Sequence, residues 1–67
     1  MKIKLNGEDY ALEGENTTIT ALLSVLKLDC RKVAVEINLK IIPKPEYNNV
    51  IMKPNDNVEI IHFVGGG

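Results

Sequence analysis

Polar and apolar residues alternate from Lys2 to Leu5 and again from Asp9 to Glu13. Between the two runs, Asn6-Gly7 supplies two residues that tolerate positive φ. The pattern predicts a β-hairpin with one apolar face: Met1, Ile3 and Leu5 lie opposite Tyr10 and Leu12, and Lys2 and Lys4 point the other way, because strand side chains alternate. Gly14 breaks the second strand, and Thr17-Thr18 then offers hydroxyl caps ahead of Ile19, Leu22, Leu23 and Leu26. Their i, i+3, i+4, i+7 spacing predicts a helix of roughly ten residues lying across the apolar side of the hairpin. Val33 to Ile37 is rich in β-formers and ends at Asn38, and Lys40-Ile41-Ile42 reads as a short return strand that Pro43 stops. Pro43 to Asn49 predicts a loop or a single 3₁₀ turn, after which Val50-Ile51-Met52 drops apolar contacts into the core. Pro54-Asn55-Asp56-Asn57 is a dense turn signal, and Val58 to Val64 is the strongest strand of the chain.

The predicted order is therefore β-β-α-β-β-β. One helix across a mixed α+β sheet of four to five strands, with hairpins at both ends of the sequence, is the β-grasp layout of ubiquitin-like proteins. That layout makes the first and last strands parallel neighbours at the sheet centre, in keeping with their apolar content. Residues 1–64 form the domain and residues 65–67 a flexible glycine tail.

Composition narrows what such a domain does. With 67 residues the chain holds one core, and 45% apolar with 25% charged residues is ordinary globular composition. Eight Lys/Arg against nine Asp/Glu leave a formal charge of -1, without the basic field that a phosphate backbone requires, so nucleic acid is not an expected partner. One cysteine, Cys30, excludes an intramolecular disulfide or an iron–sulfur cluster and suits a reducing compartment. The opening Met1-Lys2-Ile3-Lys4-Leu5 has no apolar run of signal-peptide length, and no stretch reaches the roughly 18 apolar residues of a membrane span. The expectation is a cytoplasmic protein, monomeric on its own, that is neither exported nor inserted.

No chemistry-bearing constellation emerges. His62 stands alone without a second metal ligand or triad partner, Cys30 lies between Asp29 and Arg31 as an isolated thiol, and the hairpin acids Glu8, Asp9, Glu13 and Glu15 read as a solvated face. The terminal Gly65-Gly66-Gly67 has two readings. It is a frayed end, or it is a backbone without side chains that carries the α-carboxylate of Gly67 into a narrow channel of a partner.

The run Val58-Glu59-Ile60-Ile61-His62-Phe63-Val64-Gly65-Gly66-Gly67 resembles the C-terminus of the ThiS family, the sulfur carriers of thiamine thiazole biosynthesis. The opening Met1 to Gly7, the helix start Thr18 to Leu23, the strand Val33 to Asn38 and the pair Ile42-Pro43 resemble that family as well, so the likeness covers essentially the whole chain. Two turns depart from the family pattern. Asn55-Asp56 stands before the last strand, where Asn55 can adopt the left-handed conformation, and Asn38-Leu39 follows the third, where Leu39 is poorly suited to positive φ and predicts a different turn.

The resemblance implies a carrier, not an enzyme: a ThiF-like partner uses ATP to adenylate Gly67, a persulfide donor supplies sulfur, and the Gly67 thiocarboxylate goes to a ThiG-like thiazole synthase. The carrier itself holds no cofactor. Gly65 and Gly66 thread the channel, and alternation along the last strand turns Glu59, Ile61 and Phe63 outward as a docking surface. Two rival readings stay open. One is a carrier for another pathway, similar to the small subunit of molybdopterin synthase; the other is a non-covalent β-grasp interaction module, for which the terminal carboxylate is irrelevant.

Overall fold

Asn6 and Gly7 take φ of 50° and 85°, the pair of positive values that a two-residue turn needs if it is to follow the twist of its flanking strands. They join β1 (Lys2–Leu5) to β2 (Glu8–Ala11), with Ile3 opposite Tyr10. The computed structural model describes residues 1–14 and 16–63. A helix α1 (Ile19–Val25) follows, then β3 (Val33–Ile37), β4 (Lys40–Ile41) and β5 (Asn57–His62). The five strands form one mixed sheet in the order β2-β1-β5-β3-β4, with β1 and β5 parallel and the other neighbours antiparallel. The expected central pairing of the first and last strands is thus present.

Thr18 is the N-cap of α1, its hydroxyl accepting from Ala21 N–H at 3.1 Å. The helix has seven residues, shorter than the sequence spacing suggested. Lys27 at φ 59° is the cause: its N–H donates to Ser24 C=O and Leu28 N–H to Leu23 C=O, the paired bonds that end a helix in a left-handed residue. Leu26 therefore packs against the core from the C-cap position. Ile19, Leu22 and Leu23 lie under the sheet with Ile3, Val33, Val35, Val58 and Ile60, all at most 7% exposed. This burial of apolar surface is the main stabilising term, worth about 1.5–3 kcal/mol for each large side chain. No helix among the described residues is long and apolar enough to cross a membrane.

Residues 43–52 serve the core unequally. The segment contains a single 3₁₀ turn at Lys44–Glu46, as expected, and Met52 is buried while Val50 is half-buried. Ile51 is 46% exposed, so it does not join them. A second 3₁₀ turn, Cys30–Lys32, was not foreseen; Asp29 caps it by accepting from Arg31 N–H at 2.9 Å.

Tyr47 is the residue that sequence reasoning missed. It is 4% exposed, and its hydroxyl accepts from Val35 N–H at 3.2 Å. On the β4 side Val35 C=O accepts from Ile42 N–H at 2.9 Å, but β4 is only two residues long and Pro43 follows, so the tyrosine hydroxyl takes the Val35 N–H in place of a strand carbonyl. Tyr47→Phe is expected to leave Val35 N–H buried and unpaired and to cost about 1–3 kcal/mol in chemical denaturation. Unchanged stability would show that the hydroxyl is dispensable.

The turn at Asn38-Leu39 keeps the two-residue geometry, contrary to expectation: φ is 52° at Asn38 and 71° at Leu39. The reason is that the turn is anchored from outside. Asn38 Oδ1 accepts from Asn57 N–H at 2.9 Å, and its Nδ2 donates to Asp56 Oδ1 at 3.1 Å, tying the β3–β4 corner to the start of β5. Leu39, 83% exposed, has no packing to offset its left-handed backbone. Leu39→Gly should therefore stabilise the fold: it removes about 1–2 kcal/mol of strain against about 0.5–1 kcal/mol of added chain entropy, and should raise the thermal midpoint by a few degrees. A lower midpoint would contradict this balance.

Candidate functional site

β5 is the middle strand of the sheet, and its alternation sets both faces. Val58 and Ile60 are buried against the helix side, while Glu59 is exposed and Ile61 and Phe63 are 47% and 51% exposed. The outward direction expected for these three residues is observed. Register then extends the face beyond β5. Ile61 stands opposite Ala34, Glu59 opposite Glu36, and Glu36 opposite Ile41, which is 73% exposed. Side chains directly opposite one another share a face of an antiparallel pair, so Ile41 and Ala34 lie with Ile61 on the outer surface of the sheet. An isolated Lys40-Ile41 dipeptide gave no sign of this, because strand register is a tertiary property.

Phe63 sits at the end of that surface. Its N–H donates to Lys32 C=O at 2.9 Å, and Lys44 Nζ lies 5.3 Å from its ring centroid while reaching Arg31 C=O at 3.4 Å. The ring is thus fixed in direction by its backbone and by a cation over one face. The expected tail residues Gly65, Gly66 and Gly67, with Val64, lie outside the described residues.

On the opposite edge, β5 is held by a side chain. Asn6 N–H donates to Val58 C=O at 2.9 Å, and Asn6 Oδ1 accepts from Ile60 N–H at 2.8 Å. The second bond extends the parallel ladder one step after β1 has turned away at Gly7.

The remaining candidates are not brought together. Cys30 is exposed beside Arg31, whose guanidinium and backbone N–H hold Asp29 and draw its carboxyl down to about 2. His62 is exposed opposite Val33. Asp9 lies between Lys4 at 2.9 Å and Lys2 at 3.6 Å, which lower its pKa, on an exposed part of the first hairpin. Among the described residues no three His, Cys, Asp or Glu side chains are placed to hold a metal. An open hollow of about 450 Å³ is lined by Met1, Asn16, Ile51, Met52, Lys53 and Pro54, with no nucleophile or acid–base pair.

Comparison with known proteins adds identity to this geometry. Residues 3–67 match the model of the ThiS family. The chain is 42% identical over 65 residues to the sulfur carrier protein ThiS of Bacillus subtilis, covering 97% of this chain and 98% of that one. It superposes on the crystal structure of a thiamine biosynthesis protein (ThiS) from Geobacter metallireducens with a TM-score of 0.86 at 32% identity, each chain fully covered. It is also 46% identical along its whole length to a protein named thiazole synthase from Paramagnetospirillum magneticum, of which it spans 20%. The chain thus spans about a fifth of the length of the thiazole synthases that it matches.

Proposed function

We propose a sulfur-loading cycle for this chain, which belongs to the ThiS family of sulfur carrier proteins of thiamine biosynthesis and is accordingly a carrier, not an enzyme. The reacting group is the α-carboxylate of Gly67. A carboxylate is a poor electrophile, so a ThiF-type adenylating enzyme first joins it to AMP from ATP, releasing pyrophosphate. The terminal sulfur of a persulfide then attacks the Gly67 carbonyl and expels AMP, and a thiol cleaves the resulting acyl disulfide to leave the Gly67 thiocarboxylate and a donor disulfide. A ThiG-type thiazole synthase receives the sulfur.

The observation that carries this reading is the match to the family along residues 3–67, which runs through the last strand to Gly67 itself. Support for a thiazole synthase as recipient comes from the 46% identity between the whole chain and a segment of a protein bearing that name. In this reading Gly65 and Gly66 thread the channel and residues 65–67 act as a flexible tail. Glu59, Ile61 and Phe63 dock, joined by Ile41 and Ala34 on the same sheet surface. The domain contributes presentation: binding through the sheet raises the local concentration of the terminus at the enzyme. The single cysteine, exposed and free, suits a reducing cytoplasm as the place of action.

Intact-protein mass spectrometry tests the cycle after incubation with ATP, the adenylating enzyme, a persulfide donor and a thiol. A mass gain equal to exchanging one oxygen for one sulfur, absent from a chain lacking Gly66-Gly67, is expected. No gain from an enzyme that loads another carrier would favour a different pathway or a non-covalent module.

A further inference from the structure

The two sides of β5 end at different places. On the β3 side its hydrogen-bonding residues are the odd ones: Asn57 C=O accepts from Asn38 N–H and Phe63 N–H donates to Lys32 C=O, so the ladder runs the full length of the strand. On the β1 side they are the even ones, and paired strand register stops at Leu5 opposite Val58. The Asn6 amide adds one more step by taking Ile60 N–H. Beyond it, among the described residues, no backbone hydrogen bond reaches Ile60 C=O, His62 N–H or His62 C=O on that side. The chain caps the buried Ile60 with a side chain and leaves the exposed His62, five positions before Gly67, open.

From this geometry we infer that the free edge of β5 at Ile60–His62 is a strand-pairing site for an extended backbone segment of the adenylating enzyme, which guides the tail into its channel. The inference rests on the sulfur-carrier reading above. A polypeptide strand is the occupant that fits, because an acceptor, a donor and a second acceptor on alternate residues along an extended edge match the repeat of another backbone. An apolar groove or a lone anion would leave part of that row unmet. From His62 to Gly67 five residues span at most about 17 Å, so pairing at His62 fixes how far the carboxylate can wander from the reacting centre. The outer sheet surface anchors the domain, and the edge sets the direction of the tail.

The test removes the N–H of residue 62 without disturbing the domain. A full chain carrying N-methyl-His62 can be assembled by ligation at the native Cys30, with His62→Pro as a genetic equivalent and His62→Ala as a side-chain control. Proline is tolerated at an edge position whose N–H faces solvent, so the thermal midpoint should not move. Binding to the adenylating enzyme in the presence of ATP is the readout. The expected result is wild-type affinity for His62→Ala and a loss of about tenfold or more for the N-methylated and proline chains. N-methyl-His62 binding as tightly as wild type would overturn the inference. So would a fall in its thermal midpoint, since that would reveal an internal partner for the N–H. Failure of the wild-type chain to be adenylated at all would instead overturn the carrier reading.

Discussion

Adding one residue after Gly67 is expected to abolish ATP-dependent sulfur loading while leaving the fold untouched. Only a carboxylate can attack the α-phosphate of ATP and become an acyl adenylate; in the extended chain the Gly67 carbonyl is an amide, and the new α-carboxylate lies one residue, about 3.6 Å, beyond the position proposed to meet the α-phosphate. The loss should be complete in a pyrophosphate-release assay. The buried cluster ends at Ile60, so the thermal midpoint should be that of the parent chain. Gly67→Ala is a milder probe. It keeps the carboxylate but adds a Cβ where the channel is proposed to admit bare backbone, and a misplacement of the order of 1 Å can slow a reaction by about 100-fold. Loading of the extended chain at the parent rate would show that the Gly67 carboxylate is not the reacting group. A non-covalent module would instead bind its partner equally well with and without the added residue and release no pyrophosphate with either chain.

Much of this architecture is written in local signals. The Asn6-Gly7 turn, the alternation on either side of it, the Thr18 cap and the apolar run of β5 each determine their structure within a few residues, and all appear where sequence predicts them. Two of the exceptions were decided by bonds distant in sequence, and the third by a left-handed residue that is not glycine. Leu39 holds φ of 71° because Asn38 is tied to Asn57 and Asp56, nearly twenty positions away. Tyr47 is held in the core by the Val35 N–H, which β4 leaves without a strand carbonyl, a fact that no pattern between Pro43 and Asn49 records. Helix α1 stops at Val25 because Lys27 turns left-handed without the glycine that usually announces such an ending.

The docking surface divides in the same way. Period-2 alternation sends Glu59, Ile61 and Phe63 outward from β5, and this follows from the sequence of one strand. That Ile41 and Ala34 complete the surface depends on how β4 aligns with β3 and β3 with β5, which only the assembled sheet reveals. The same register places Glu36 directly across from Glu59 with no cation paired to either among the described residues. Like charges opposite one another weaken a strand pair slightly. A partner that brings a basic side chain to this face would relieve them.

Phe63→Asp is expected to weaken binding to the adenylating enzyme by about 30- to 100-fold, or roughly 2–3 kcal/mol, with stability changed by less than about 1 kcal/mol. The small effect on stability follows from position: Phe63 is 51% exposed, beyond the last core residue, and a carboxylate there would find Lys44 already overhead. The large effect on binding follows from what the ring supplies. Phe63 and Ile61 are apolar groups at the tail end of the proposed docking surface, and a buried aromatic anchor loses most when a desolvated charge replaces it. Phe63→Leu, which keeps the apolar surface, should stay close to wild type. A titration that gives wild-type affinity for Phe63→Asp would remove this face from the interface. The kinetic split carries further information. If Phe63 serves only to hold the domain on the enzyme, saturating enzyme restores the loading rate of Phe63→Asp in full. If the rate stays low at saturation, docking energy at Phe63 is used to align the tail at the reacting centre, as expected when remote binding positions a reacting group.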